Sequence, residues 1–125
     1  MEKITDWNAL WRELVEIKAQ SRRKKWGGDP PEDLWADRAR KFKEGVRRRW
    51  ARADSSREFI LSRIRPGSTV LDIGAGTGAW SILISPLAKR VTAVEPSASM
   101  IEVMRESLAG ENISNVSIIQ GEWPD

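Results

Sequence analysis

Val70-Leu71-Asp72-Ile73-Gly74-Ala75-Gly76-Thr77-Gly78 sets an acid and three glycines where an apolar run gives way to a helical pattern. Glycine is needed where the backbone turns sharply or where a ligand lies against it, because a Cβ would take the ligand's space. Open α/β sheets bind their ligands at the carboxyl ends of strands, and a nucleotide-like ligand fits a loop of this kind. Gly74-x-Gly76-x-x-Ala79 also satisfies the dinucleotide fingerprint. Here the third glycine comes one position early, at Gly78, and Asp72 stands two residues before the first. An anionic pyrophosphate gains nothing from a carboxylate beside its turn. A ligand presenting an ammonium and a sulfonium gains a counter-charge.

Working outward from this loop, short apolar runs alternate with helical ones after Pro66, the pattern of a parallel sheet in an α/β fold. Strands are expected at Thr69–Ile73, Val91–Glu95 and Val116–Gln120, with a helix over about 78–88 and another carrying Met100, Val103, Met104 and Leu108. Right-handed crossovers then put the strands in the order 3-2-1. Before Pro66 the periodicity is helical throughout. Trp7, Leu10, Trp11, Leu14 and Ile17 recur at three- and four-residue steps, with Thr5 or Asp6 as N-cap and an end near Lys25. After the break at Gly27-Gly28, Asp29-Pro30 is expected to cap a second helix with the face Trp35, Ala39, Phe42, Val46, Trp50. A capping box at Ser55-Ser56-Arg57-Glu58 starts a third, carrying Phe59, Ile60 and Ile64. Two regions follow: a helical cap segment, 1–65, and a sheet region, 66–125.

Composition narrows the chemistry. The 125 residues hold 21 Lys+Arg and 18 Asp+Glu but no His and no Cys. Thiolate or imidazole zinc sites, disulfides, Cys nucleophiles and Ser-His-Asp relays are therefore excluded, and no metal site is expected. Residues 1–65 carry a net charge of +7 and residues 66–125 a net of −4. The clusters Arg22-Arg23-Lys24-Lys25 and Arg47-Arg48-Arg49 suit RNA phosphates, although solvated helix faces look the same. No run spans a bilayer and the start lacks the apolar run of a signal peptide, so a cytoplasmic protein without a membrane partner is expected.

The acid-x-Gly-x-Gly-x-Gly loop resembles the first motif of the class I S-adenosylmethionine-dependent methyltransferases. The resemblance continues at Glu95, 17 residues beyond Gly78, and at Gln120-Gly121-Glu122-Trp123. It implies a Rossmann-like domain and S-adenosyl-L-methionine as cofactor. By the same resemblance Gly74, Ala75, Gly76 and Gly78 let the backbone approach the methionine and ribose, and Asp72 faces the ammonium. Glu95, followed by Pro96, holds the ribose hydroxyls; Gly121, Glu122 and Trp123 select adenine, and Met100 packs on it. Upstream, Trp35-Ala36-Asp37-Arg38-Ala39-Arg40-Lys41-Phe42 is similar to a run that precedes many small-molecule members. Trp35, Arg38 and Phe42 are thereby expected to close over the methionine end, and a small-molecule acceptor is implied. No residue is identified as catalytic.

Two rival readings stand beside this one, an NAD-linked oxidoreductase and a non-catalytic or RNA-binding module that keeps the cofactor fold. The resembled family carries a seven-stranded sheet, whereas the third expected strand here ends at Gln120. The chain therefore reads as the first part of such a domain. Its first strand would have one unpaired edge, which favours self-association or a missing remainder, with weak cofactor binding and no turnover expected of this chain alone.

Overall fold

The computed structural model describes residues 5–28 and 32–123. The chain divides into two compact units, one ending at Glu32 and the other running from Asp33 to Trp123.

The first unit contains α1, Trp7–Trp26. Asp6 takes the N-cap position, its carboxylate accepting from the Ala9 N–H at 3.0 Å. The helix stops because Gly27 adopts a left-handed φ of 69°, and the Gly27 and Gly28 N–H groups both turn back to the Arg23 carbonyl. The expected cap pair Asp29-Pro30 lies outside the described residues.

In the second unit α2 spans Ala39–Trp50 and α3 spans Ser55–Ser62. Helix α2 starts later than its spacing suggests. Asp33 Oδ1 accepts from the Trp35 N–H at 2.9 Å, and the Trp35 carbonyl accepts from Arg38 and Ala39, so 34–38 is spent on turns. The expected face is present: Ala39 and Val46 are buried, with Trp35, Phe42 and Trp50 half-buried. Helix α3 is capped one residue earlier than the capping box implies, because Asp54 is extended and accepts from the Arg57 N–H at 3.0 Å. Phe59 and Ile60 do not reach a core; they are 59% and 41% exposed.

Three parallel strands follow, β1 (Thr69–Ile73), β2 (Arg90–Glu95) and β3 (Val116–Gln120), in the spatial order β1-β2-β3. Register pairs Asp72 with Ala93 and Glu95 with Gln120. Between the strands lie α4, Ala79–Ile84, and α5, Ala98–Gly110. Helix α4 is shorter than expected. Pro86 has no N–H to give the Ile82 carbonyl, and the Ser85 hydroxyl donates to that carbonyl instead, at 2.8 Å. Asn115 then holds the turn, its amide donating to the carbonyls of Ser85 and Ala88.

The core joins β2 and β3 to α5 through Ala93, Ile101, Met104 and Leu108, with Val116 and Ile118 against them. A second cluster, Ala39, Met100 and Val103 with Trp35 and Phe42, fastens α2 to α5. Burying each such aliphatic side chain contributes about 1.5–3 kcal/mol. Because side chains alternate along a strand, Leu71, Ile73 and Ile119 belong to the opposite face of the sheet, where they are 50%, 46% and 54% exposed.

Candidate cofactor site

The loops that follow the three strands meet at one residue, Glu95. The Gly74 and Ala75 N–H groups donate to the Val94 carbonyl at 2.8 and 3.0 Å, which lays the glycine loop across the end of β2. The Gly76 N–H then donates to Glu95 Oε2 at 2.9 Å, and the Ser97 N–H to Oε1 at 3.3 Å. From the third loop, the Gly121 N–H donates to the Glu95 carbonyl at 3.2 Å, and the Gln120 amide to the Pro96 carbonyl at 3.3 Å. Glu95 is only 6% exposed. A carboxylate carries about four acceptor positions, so each oxygen keeps capacity for a further donor such as a hydroxyl.

The three glycines share a backbone sign but differ in surroundings, and Gly78 departs from the expected approach to a ligand. Gly74, Gly76 and Gly78 all have positive φ, 70°, 59° and 82°. An added Cβ would meet nothing within 4 Å at Gly74, so the space there is open to a ligand. At Gly78 it would fall 2.5 Å from Met104 Cγ, so this glycine serves the protein's own packing of the loop on α5.

Asp72 is half-buried, and its Oδ2 accepts from the Ser81 hydroxyl of α4 at 2.7 Å. Met100 departs from the reading given above: it is 2% exposed in the α2–α5 cluster and offers no surface to a ligand. Glu122 and Trp123 are exposed at the end of the third loop. Phe42 approaches the glycine loop, its Cε1 lying 3.6 Å from a Cβ built on Gly76, and Trp35 meets the Phe42 ring edge-on at 5.2 Å. Arg38 is exposed.

Sequence reasoning missed Asp33. Its Oδ1 accepts from the Ser97 hydroxyl at 2.7 Å and its Oδ2 from the Ser99 N–H at 2.9 Å. Ser97 is the N-cap of α5, its own oxygen accepting from the Met100 N–H. A relay of contacts thus runs from Asp33 through Ser97 to Glu95. Hydrogen bonds from the Ser99 backbone, the Ser97 hydroxyl and the Trp35 backbone outweigh desolvation and lower the Asp33 carboxyl from 3.8 to about 2. Its local bond to the Trp35 N–H marks only a turn; the partners that bring it to the site, Ser97 and Ser99, lie 64 and 66 positions away. No cluster of acidic residues able to hold a metal occurs among the described residues.

Residues 70–125 match the family model described as a methyltransferase domain. Over 83 residues the chain is 37% identical to a ubiquinone/menaquinone biosynthesis C-methyltransferase of Pseudomonas aeruginosa, covering 62% of this chain and 30% of that one. Over 112 residues it is 30% identical to ribosomal RNA large subunit methyltransferase E of Paracidovorax citrulli, covering 87% of this chain and 49% of the relative. It therefore spans at most about half the length of these two curated relatives. Among solved structures, a Streptococcus mutans protein assigned as a methyltransferase, in complex with SAH, superposes with a TM-score of 0.52. That pair shares 30% identity over 54% of this chain and 38% of the other. Over residues 70–125, then, the chain matches a methyltransferase-domain model, and its three-stranded parallel sheet is similar to that of methyltransferases.

Proposed function

We propose that the chain binds S-adenosyl-L-methionine at the converging loops and takes part in transfer of its methyl group to an acceptor. One observation carries this reading: the backbone of a positive-φ glycine loop and a buried, doubly hydrogen-bonded carboxylate, Glu95, face the same place. Bound there, the cofactor supplies an electrophilic methyl on a sulfonium. Glu95 would accept from the ribose hydroxyls of the cofactor. Asp72 provides negative charge for the ammonium, while Gly121, Glu122 and Trp123 border the adenine, with Ala75 and Pro96 completing the wall. Trp35 and Phe42, which precede the sheet within the same unit, would cover the methionine end and exclude water. Methyl transfer is an in-line displacement, in which alignment of acceptor and methyl supplies about 7–11 kcal/mol, so the absence of His and Cys is no obstacle.

The acceptor supported by the Trp35–Phe42 run is a small molecule. A second reading, an RNA acceptor, is favoured by the basic α2 and by the relative named for ribosomal RNA. A cytoplasmic setting agrees with both, and no described helix is long and apolar enough to cross a membrane. Thermal shift with S-adenosylhomocysteine and with NAD discriminates the cofactor: stabilisation by the former alone is expected, and stabilisation by NAD alone restores the oxidoreductase alternative. Mass spectrometry of products after incubation with S-adenosylmethionine and cell extract then reads the acceptor class.

A further inference from the structure

The Asp33 carboxylate joins two parts of the second unit that are far apart in sequence. Its Oδ1 accepts from the Trp35 N–H at 2.9 Å and from the Ser97 hydroxyl at 2.7 Å, and its Oδ2 accepts from the Ser99 N–H at 2.9 Å. The backbone hydrogen bonds of the turns before α2 are local, from Ala36 to the Asp33 carbonyl and from Arg38 and Ala39 to the Trp35 carbonyl. Among the described residues, then, this one carboxylate supplies the hydrogen bonds that fasten those turns to the start of α5. The body of α2 is held separately. Arg40 pairs with both oxygens of Glu106 at 2.8 and 2.9 Å, Lys43 donates to the Ser107 hydroxyl at 2.7 Å, and Ala39 packs with Met100 and Val103. Loss of the Asp33 carboxylate would therefore loosen the turns and leave α2 docked on α5.

Two routes lead from Asp33 to the loops gathered at Glu95. One passes through Ser97, whose N–H donates to Glu95 Oε1 at 3.3 Å. That route survives without the Asp33 carboxylate, because Ser97 is held independently as the N-cap of α5, accepting from the Met100 N–H at 3.1 Å. The other passes through Trp35, whose backbone N–H the carboxylate holds and whose ring meets Phe42 edge-on; Phe42 Cε1 in turn lies 3.6 Å from a Cβ built on Gly76. This second route depends on Asp33. We infer that Asp33 is a positioning residue for the methionine end of the cofactor: it fixes the turn that carries Trp35 and, through the Trp35–Phe42 ring contact, sets where the aromatic cover stands beside Gly76. Hydrogen bonds to an ionised acceptor are the strong kind, which suits one carboxylate to hold a turn that has few other ties. An amide in its place would accept through one oxygen only and turn its own N–H groups towards a donor. The inference rests on the reading that S-adenosylmethionine binds at these loops, and the test separates the two.

The test is isothermal titration of the full chain with S-adenosylhomocysteine and with 5′-methylthioadenosine, which share the adenosine and differ in the amino-acid end. Glu95→Ala should weaken both ligands, since both carry the ribose; if it weakens neither, the reading of the site fails and the inference falls with it. Asp33→Asn should weaken S-adenosylhomocysteine by at least about tenfold and methylthioadenosine by less than about twofold. A purely structural role would weaken the two alike. Phe42→Leu should show the same selectivity, and its loss should not add to that of Asp33→Asn in the double variant, because the two act on one contact. Hydrogen exchange without ligand gives a readout independent of the cofactor. In Asp33→Asn the amides of Arg38 and Ala39, which donate to the Trp35 carbonyl, should exchange faster, while those of Gly74 and Ala75, which donate to Val94, keep their rates. With Glu95→Ala behaving as expected, the inference alone is overturned if Asp33→Asn weakens both ligands equally or neither, if the double variant is additive, or if exchange at Arg38 and Ala39 is unchanged.

Discussion

Gly78 and Gly74 have the same backbone sign but different surroundings, and that difference can be measured. At Gly74 an alanine meets only the left-handed backbone penalty, about 1–2 kcal/mol. Gly78→Ala adds overpacking against Met104, about 1–3 kcal/mol more. Urea unfolding should rank Gly78→Ala below Gly74→Ala; equal midpoints would mean that Met104 swings aside freely. Asp33 gives a second prediction at this scale. Its carboxyl is held at about 2 against an ordinary 3.8, so the stabilisation it gives is complete above that ordinary value. That stabilisation is lost as pH falls from 3.8 towards about 2. Asp33→Asn should be less stable than the parent at neutral pH and should lack this component of acid sensitivity. Parallel stability curves down to pH of about 2 would contradict it. The loop residues and Glu95 were legible in the sequence because their geometry is local to strand ends. Asp33 was not, because its partners at the site, Ser97 and Ser99, lie two strands further along the chain.

Among the elements, the strands were read almost to the residue, since a short apolar run between turn residues has little else it can become. Helix bounds were less legible where side chains from elsewhere decided them. Helix α2 lost its first turns to the Asp33 network, and α3 took Asp54 as cap because that residue was already extended. The early end of α4 was written in the sequence, as Pro86 lies two residues past its last helical residue. Helix α5 depends on Ser97, which caps it, accepts from Met100 and donates to Asp33. Ser97→Ala should cost about 0.5–2 kcal/mol as a lost N-cap. It should also weaken S-adenosylhomocysteine binding, because the Asp33–Ser97 tie beside Glu95 goes with the hydroxyl. A stability loss without any change in binding would confine Ser97 to capping.

At the scale of the molecule, α4 and α5 pack on β2, and among the residues from Asp33 to Trp123 no helix is described against the opposite face of the sheet. Leu71, Ile73 and Ile119 stand about half exposed on it, and among the described residues β1 pairs with β2 alone. An apolar face beside an unpaired strand edge favours association. Light scattering should show mass rising with concentration, and Leu71→Glu with Ile73→Lys should suppress the rise while circular dichroism is unchanged. A parent that stays monomeric at every concentration would contradict this. The charge division between the basic first part and the acidic remainder was legible from composition; which cations remain unpaired was not, since Arg40 and Lys43 find partners on α5. The central claim is that the loops gathered at Glu95 form a site for S-adenosylmethionine. Isothermal titration of this chain with S-adenosylhomocysteine, parent beside Glu95→Ala, tests it most directly. The account predicts weak but saturable binding by the parent and a loss of about 1.5–3 kcal/mol in the variant, the worth of hydrogen bonds to a charged acceptor. Equal binding by the two, with both folded, would contradict it.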